Sequence, residues 1–188
     1  MSTVYLLLGG NTGNRLWFIE QAYTMLALRV GHVRNYSMLY ETKPWGFSSS
    51  DTNNFINKIV VLETRLSPLK LLNEIKKIEV DLGRCNQKQH LSINQSDLFE
   101  LTQKREYEDR NMDIDILLYN DWIVCEPNLI IPHLQLHKRR FALTPLCEVA
   151  PNVIHPLFNK SVAQLLAECD DNLEVKQLEQ HSASSINL

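Results

Sequence analysis

Four short runs dense in apolar residues, at 4–8, 33–40, 55–63 and 112–119, are separated by two segments in which apolar residues recur at helical spacing. That alternation constrains the chain more than any other feature, because period-two and period-3.6 patterns bury different faces. In the first segment Asn14 can cap a helix carrying Leu16, Ile19, Ala22, Tyr23 and Leu26 on one side, and Gly31 ends the run. In the second, Ser67-Pro68 is a start signal, Leu71, Leu72, Ile75, Ile78 and Leu82 mark the apolar stripe, and Gly83 stops it. The order strand, helix, strand, strand, helix, strand predicts an α+β, ferredoxin-like βαββαβ antiparallel sheet with helices on one face and the other face free for a site.

A C-terminal extension follows, with short strands expected at 122–124 and 129–131 and helices at 141–149 and 162–169. We expect one domain over residues 1–170 and a loose polar tail over 171–188. Residues 41–54 and 85–109 are too polar and broken for regular elements, and connections of such length tend to be functional or disordered.

With 19 basic against 22 acidic residues, no global positive field recommends nucleic acid or an anionic membrane as a partner. The apolar runs fall far short of the roughly 20 residues that span a bilayer. No signal-like N-terminal segment is seen, so the chain reads as cytoplasmic. Cys85, Cys125, Cys147 and Cys169 form no CxxC pair, which argues against a zinc knuckle and for reduced, buried thiols.

Three constellations carry chemistry. Asp113 and Asp115 alternate with Met112, Ile114 and Ile116, so the two carboxylates share one strand face. Such neighbours repel unless a cation neutralises them, and magnesium takes a few carboxylate oxygens together with water and substrate phosphates. A solvated edge strand would show the same tetrapeptide, but Arg110 beside it suits phosphate oxygens. Second, Ile131-Pro132-His133 leads into His137, Lys138, Arg139, Arg140 and Phe141, a cationic cluster that fits either a solvated face or a polyphosphate such as ATP. Third, Tyr40-Glu41-Thr42-Lys43-Pro44-Trp45-Gly46 and Phe55-Ile56-Asn57 place aromatic and amide groups together, as a flat heterocycle requires. The Gly9-Gly10-Asn11-Thr12-Gly13 turn lacks the lysine of a P-loop and the spacing of a dinucleotide fingerprint.

Taken in order from residue 4 to about 166, these segments resemble the 6-hydroxymethyl-7,8-dihydropterin pyrophosphokinase family. The most specific matches are Arg110-Asn111-Met112-Asp113-Ile114-Asp115-Ile116 and Pro132-His133 leading to Arg139-Arg140-Phe141. The resemblance implies transfer of pyrophosphate from ATP to the hydroxymethyl group of a reduced pterin, releasing AMP, in folate biosynthesis. It implies that Asp113 and Asp115 bind two magnesium ions, and that Phe55 and Phe141 sandwich the pterin. Asn57, Thr42 and the backbone near Lys43 and Trp45 would read its polar edge over a floor at Gly10. Lys76, Glu79, Arg110, Ile116, His133 and Arg139 would meet ATP, with Ile116 bordering the adenine.

Departures from the family pattern concentrate before Arg110. Asn86 stands where an arginine is common, so one of Arg84, Lys88, Lys104 or Arg105 would supply the phosphate contact, and the sequence leaves open which, Arg84 standing first among them. The segment 86–106 is longer than usual and reads as a lid over ATP, or as an inert insert. Two other readings stay open at this level: a magnesium-dependent transferase with an unrelated acceptor, and a non-catalytic ferredoxin-like module. A monomer is expected.

Overall fold

The computed structural model describes residues 1–46, 53–83 and 111–179. Its centre is strand β1 (Ser2–Gly10), which pairs antiparallel with β4 (Phe55–Thr64) on one side and β5 (Asp113–Tyr119) on the other. Being central, β1 is buried on both faces, which is why its sequence reads as a nearly continuous apolar run. Val4, Leu6 and Leu8 enter one core and Leu7 the other.

Helix α1 (Arg15–Arg29) and helix α2 (Pro68–Asp81) cover the first face. Asn14 caps α1 as expected, its side-chain oxygen accepting the Trp17 N–H at 3.2 Å, and Ile19, Ala22 and Leu26 are buried. Leu16 is half exposed instead. Gly31 opens the next strand because a Cβ there would meet the Glu63 carbonyl oxygen at 2.1 Å. In α2, Pro68 fills the first turn while Leu71, Ile75 and Ile78 face inward, and Gly83 closes the end at φ +91°. The Ser67 side chain makes no capping bond.

The expected strand at 33–40 is two strands, β2 (Gly31–Tyr36) and β3 (Tyr40–Thr42), laid end to end along β4. Ser37 causes the break: its N–H donates to the Ile59 carbonyl at 3.0 Å and its Oγ accepts the Ile59 N–H at 2.9 Å. A side-chain oxygen thus takes the place of a ladder carbonyl, and the chain steps out for three residues.

Beyond β5 the chain forms a hairpin of β6 (Val124–Glu126) and β7 (Leu129–Ile131), so the strand expected at 122–124 starts two residues later. Helix α3 (Arg140–Val149) carries Pro145 inside it, and a small hairpin, β8 (Ile154–His155) with β9 (Lys160–Ser161), leads to helix α4 (Val162–Ala167). Both helices pack on the second face, against Leu7, Ile59, Val61 and Leu117. Part of the face left free by the sequence pattern is therefore occupied by the C-terminal extension.

Within the described part of the tail expected to be loose, residues 171–179, the chain forms a further strand. Strand β10 (Val175–Gln177) pairs with β3 and extends the sheet to the order β10-β3-β4-β1-β5. Arg140 anchors the approach to it, its backbone N–H donating to Asp171 Oδ2 at 3.1 Å and its Nη2 to the Cys169 carbonyl at 2.9 Å. No described helix is long and apolar enough to cross a membrane.

Candidate active site

Register puts one row of residues across the second face. Tyr40 of β3 pairs with Asn57 of β4, Asn57 with Gly9 of β1, and Gly9 with Asp113 of β5. The neighbouring rows add Thr42 opposite Phe55 and Leu7 opposite Asp115. Alternation along each strand therefore brings Thr42, Phe55, Asn57, Asp113 and Asp115 to the same side of the sheet.

Asn57 is buried, and its Nδ2 donates to Thr42 Oγ1 at 2.8 Å, which fixes the amide plane. The glycine beneath that amide is Gly9. A Cβ at Gly9 would come within 2.8 Å of Asn57 Oδ1. Gly10, expected as the floor, pairs with Ile56, whose side chain belongs to the helix-side core. The glycine beside Asn57 on the second face is therefore Gly9, and only the register could have told the two glycines apart.

Asp115 stands at the other end. Its Oδ2 lies 3.4 Å from Arg139 Nη1 and 4.0 Å from His133 Nε2, and those two nitrogens are 3.3 Å apart. His133 is carried there by the turn after the cis Ile131–Pro132 bond, its N–H donating to the Leu117 carbonyl at 2.9 Å. The Arg139 guanidinium lies over two rings, 5.3 Å from Trp45 and 5.6 Å from Phe141, which are themselves 6.4 Å apart. This side chain is buried, and its Nε has no hydrogen-bond partner among the described residues. One arginine thus links the carboxylate end of the site to its aromatic end.

Other expected residues behave differently. Glu79 is buried on α2, and its Oε1 accepts the Ile114 N–H at 2.9 Å. It therefore braces the strand between the two aspartates. The Ile116 side chain is sealed in the helix-side core, and its main chain lies in β5, at the end of the sheet. Lys76 and Lys43 are exposed. Arg84 and Arg110, the alternatives Lys88, Lys104 and Arg105, and the lid expected at 86–106 lie outside the described residues.

The fold is ferredoxin-like α+β, and the family match defines the chain as an enzyme of the pyrophosphokinase class. Residues 5–151 match the model of the 7,8-dihydro-6-hydroxymethylpterin-pyrophosphokinase (HPPK) family. The chain is 36% identical over 168 residues to the 2-amino-4-hydroxy-6-hydroxymethyldihydropteridine pyrophosphokinase of Aquifex aeolicus, covering 89% of this chain and 92% of that one. It is 40% identical over 157 residues to the enzyme of the same name from Porphyromonas gingivalis, covering 83% and 95%. Among solved structures, wild-type Plasmodium falciparum HPPK-DHPS with pteroate superposes with a TM-score of 0.65 at 19% identity, over 89% of this chain and 44% of that one. That likeness establishes the shared fold, and this chain spans less than half the length of the solved protein. The chain belongs to the 7,8-dihydro-6-hydroxymethylpterin-pyrophosphokinase family.

Proposed function

We propose that the cross-sheet row works as one site that moves the terminal diphosphoryl group of ATP to the hydroxymethyl group of 6-hydroxymethyl-7,8-dihydropterin, in folate synthesis. The pterin hydroxyl oxygen attacks the β-phosphorus, the bond from that phosphorus to the α-phosphate oxygen breaks, and AMP leaves. The hydroxyl proton is lost to solvent or phosphate.

The observation that supports this reading is the spacing within the row. Asn57 and Asp113 are two strands apart, about 10 Å, with Gly9 between them. A flat bicyclic ring read at one edge by the Asn57 amide can lie across Gly9, where no side chain rises, and present its substituent at the carboxylates. Thr42 orients that amide, Phe55 and Phe141 supply ring faces, and Trp45 with the backbone near Lys43 closes the edge.

The carboxylates fit magnesium that arrives with ATP better than a resident metal. Among the described residues no three His, Cys, Asp or Glu side chains are grouped to hold an ion. Two aspartates supplemented by water and phosphate oxygens are a normal magnesium set. Asp113 and Asp115 would hold the metal, two ions in our reading, and bound magnesium would neutralise charge on the transferring group. Arg139 and His133 sit where phosphate oxygens would replace Asp115 as their partner. The protein's share of catalysis is then positioning and charge neutralisation, with no dedicated general base. Arg110 and Arg84 complete the reading as further phosphate contacts, and Lys76 and the Ile116 main chain as nucleotide contacts. The reading takes the chain as a cytoplasmic monomer.

The test is formation of AMP from ATP, magnesium and the reduced pterin, followed with Asn57→Ala. The variant should keep ATP affinity and lose pterin affinity; unchanged pterin affinity would remove the acceptor assignment.

A further inference from the structure

Arg15 is the first residue of α1 and lies behind the sheet from the site, yet it touches strand β3 and the residue that leads into β4. Its Nη1 donates to Glu41 Oε1 at 3.1 Å and to the Asn54 carbonyl at 2.7 Å. Glu41 immediately precedes Thr42, and Asn54 immediately precedes Phe55. Thr42 and Phe55 are the last pair of the β3–β4 ladder, where the connection 43–54 leaves the sheet.

The end of a ladder is where pairing is weakest, because the final pair has a neighbouring pair on one side only; Thr42 is also paired to Val175 of β10, whereas Phe55 has Thr42 as its ladder partner. Here that last pair carries the Thr42 hydroxyl that orients Asn57, together with one ring wall of the slot. A single guanidinium nitrogen bonded to Glu41 of β3 and to the Asn54 carbonyl just before β4 ties the two chain segments together at the ladder end, from the opposite face. The carboxylate and the arginine are each about one-third exposed, so the ion pair by itself contributes little to global stability. Its effect is local, on the positions of Thr42 and Phe55.

We propose that Arg15 is a positioning residue for the pterin: by strapping Glu41 to Asn54 it holds the Thr42–Phe55 pair in the geometry that binds the ring. The proposal rests on the acceptor reading above. It assigns Arg15 a role without contact to substrate and separates the pterin half of the site from the nucleotide half, to which the strap makes no link.

The experiment measures KM for ATP and for the reduced pterin, kcat and melting temperature for the wild type, Arg15→Ala, Arg15→Lys and Glu41→Gln. Arg15→Ala should raise the pterin KM about five- to tenfold while kcat and the ATP KM stay within twofold. Glu41→Gln, which keeps the shape and removes the charge, should move the pterin KM the same way by a smaller factor. Arg15→Lys, which keeps the charge and donors but lacks the planar, pre-organised guanidinium, should fall between Ala and the wild type. An unchanged pterin KM in Arg15→Ala and Glu41→Gln overturns the proposal, as does a change in which kcat falls and both KM values rise together with the lost melting temperature. If Arg15→Ala does not fold, Glu41→Gln decides alone. Failure of the wild type to use the reduced pterin would instead refute the acceptor reading, so the two failures are distinguishable.

Discussion

Replacing Gly9 by alanine puts a methyl group under the Asn57 amide, 2.8 Å from Oδ1 where ordinary contact begins at 3.4 Å. The strand backbone is held on both sides by β4 and β5, so the side chain has to yield. Asn57 is 2% exposed and its Nδ2 is already bonded to Thr42 at 2.8 Å, so moving Oδ1 by about 0.6 Å tilts the amide and lengthens that bond. Losing a buried hydrogen bond costs about 1–3 kcal/mol. If 1–2 kcal/mol of that falls on ring binding, the pterin dissociation constant rises roughly 5- to 30-fold, at 1.4 kcal/mol per tenfold. A stability loss of about 1 kcal/mol would lower the melting temperature by about 2–4 °C for a chain of this size. Affinity for a non-hydrolysable ATP analogue should stay within twofold, because Arg139, His133 and Asp115 are untouched. Calorimetric titration of each ligand, with a melting curve, measures all three. A pterin dissociation constant within twofold of the wild type would show that the ring does not lie over Gly9, and the spacing argument would fail.

Further outcomes follow from other contacts. Glu79→Ala strands the Ile114 N–H between the two aspartates, so it should cost about 1–3 kcal/mol in denaturant unfolding and reduce turnover more than it reduces pterin affinity. Burial, with His137 nearby, holds His155 below the ordinary histidine range, so the unfolded chain takes up a proton there before the folded chain does. Stability from that site is complete above about pH 6.5 and declines as the pH falls below it; melting temperatures from pH 8 to pH 5 should show the decline, and His155→Gln should flatten it. Burial, and next its hydrogen bond to Glu148, push the Tyr40 hydroxyl up to about 12, so its ultraviolet titration should be missing below pH 11 and return to lower pH in Glu148→Gln.

What the sequence revealed depended on whether a signal was carried by side-chain pattern or by pairing. The strands and both covering helices were legible because burial on two faces, or on one stripe, writes itself into apolar spacing. Strand β10 was not, since Val175-Lys176-Gln177 has a single apolar residue and is held by backbone pairing to β3. The break at Ser37 was hidden because a serine within an apolar run gives no sign that its hydroxyl will substitute for a carbonyl. Asp113 and Asp115 could be placed on one face from alternation alone, but choosing between Gly9 and Gly10 needed the pairing with Asn57. Arg139 and Arg140 are adjacent and chemically alike, yet the first stacks on Trp45 and Phe141 while the second ties down Cys169 and Asp171. Nothing in their composition separates them; the turn into α3 does.

In the proposed function the carboxylate pair and the Asn57 slot serve one transfer reaction. Single-turnover assays with ATP, magnesium and the reduced pterin, comparing the wild type with Asp115→Asn, address it directly. The wild type should form AMP and diphosphorylated pterin in equal amounts, and the variant should bind the pterin normally, melt within a few degrees of the wild type and lose at least a hundredfold in rate. Formation of ADP in place of AMP, or an Asp115→Asn rate within tenfold of the wild type, would contradict it.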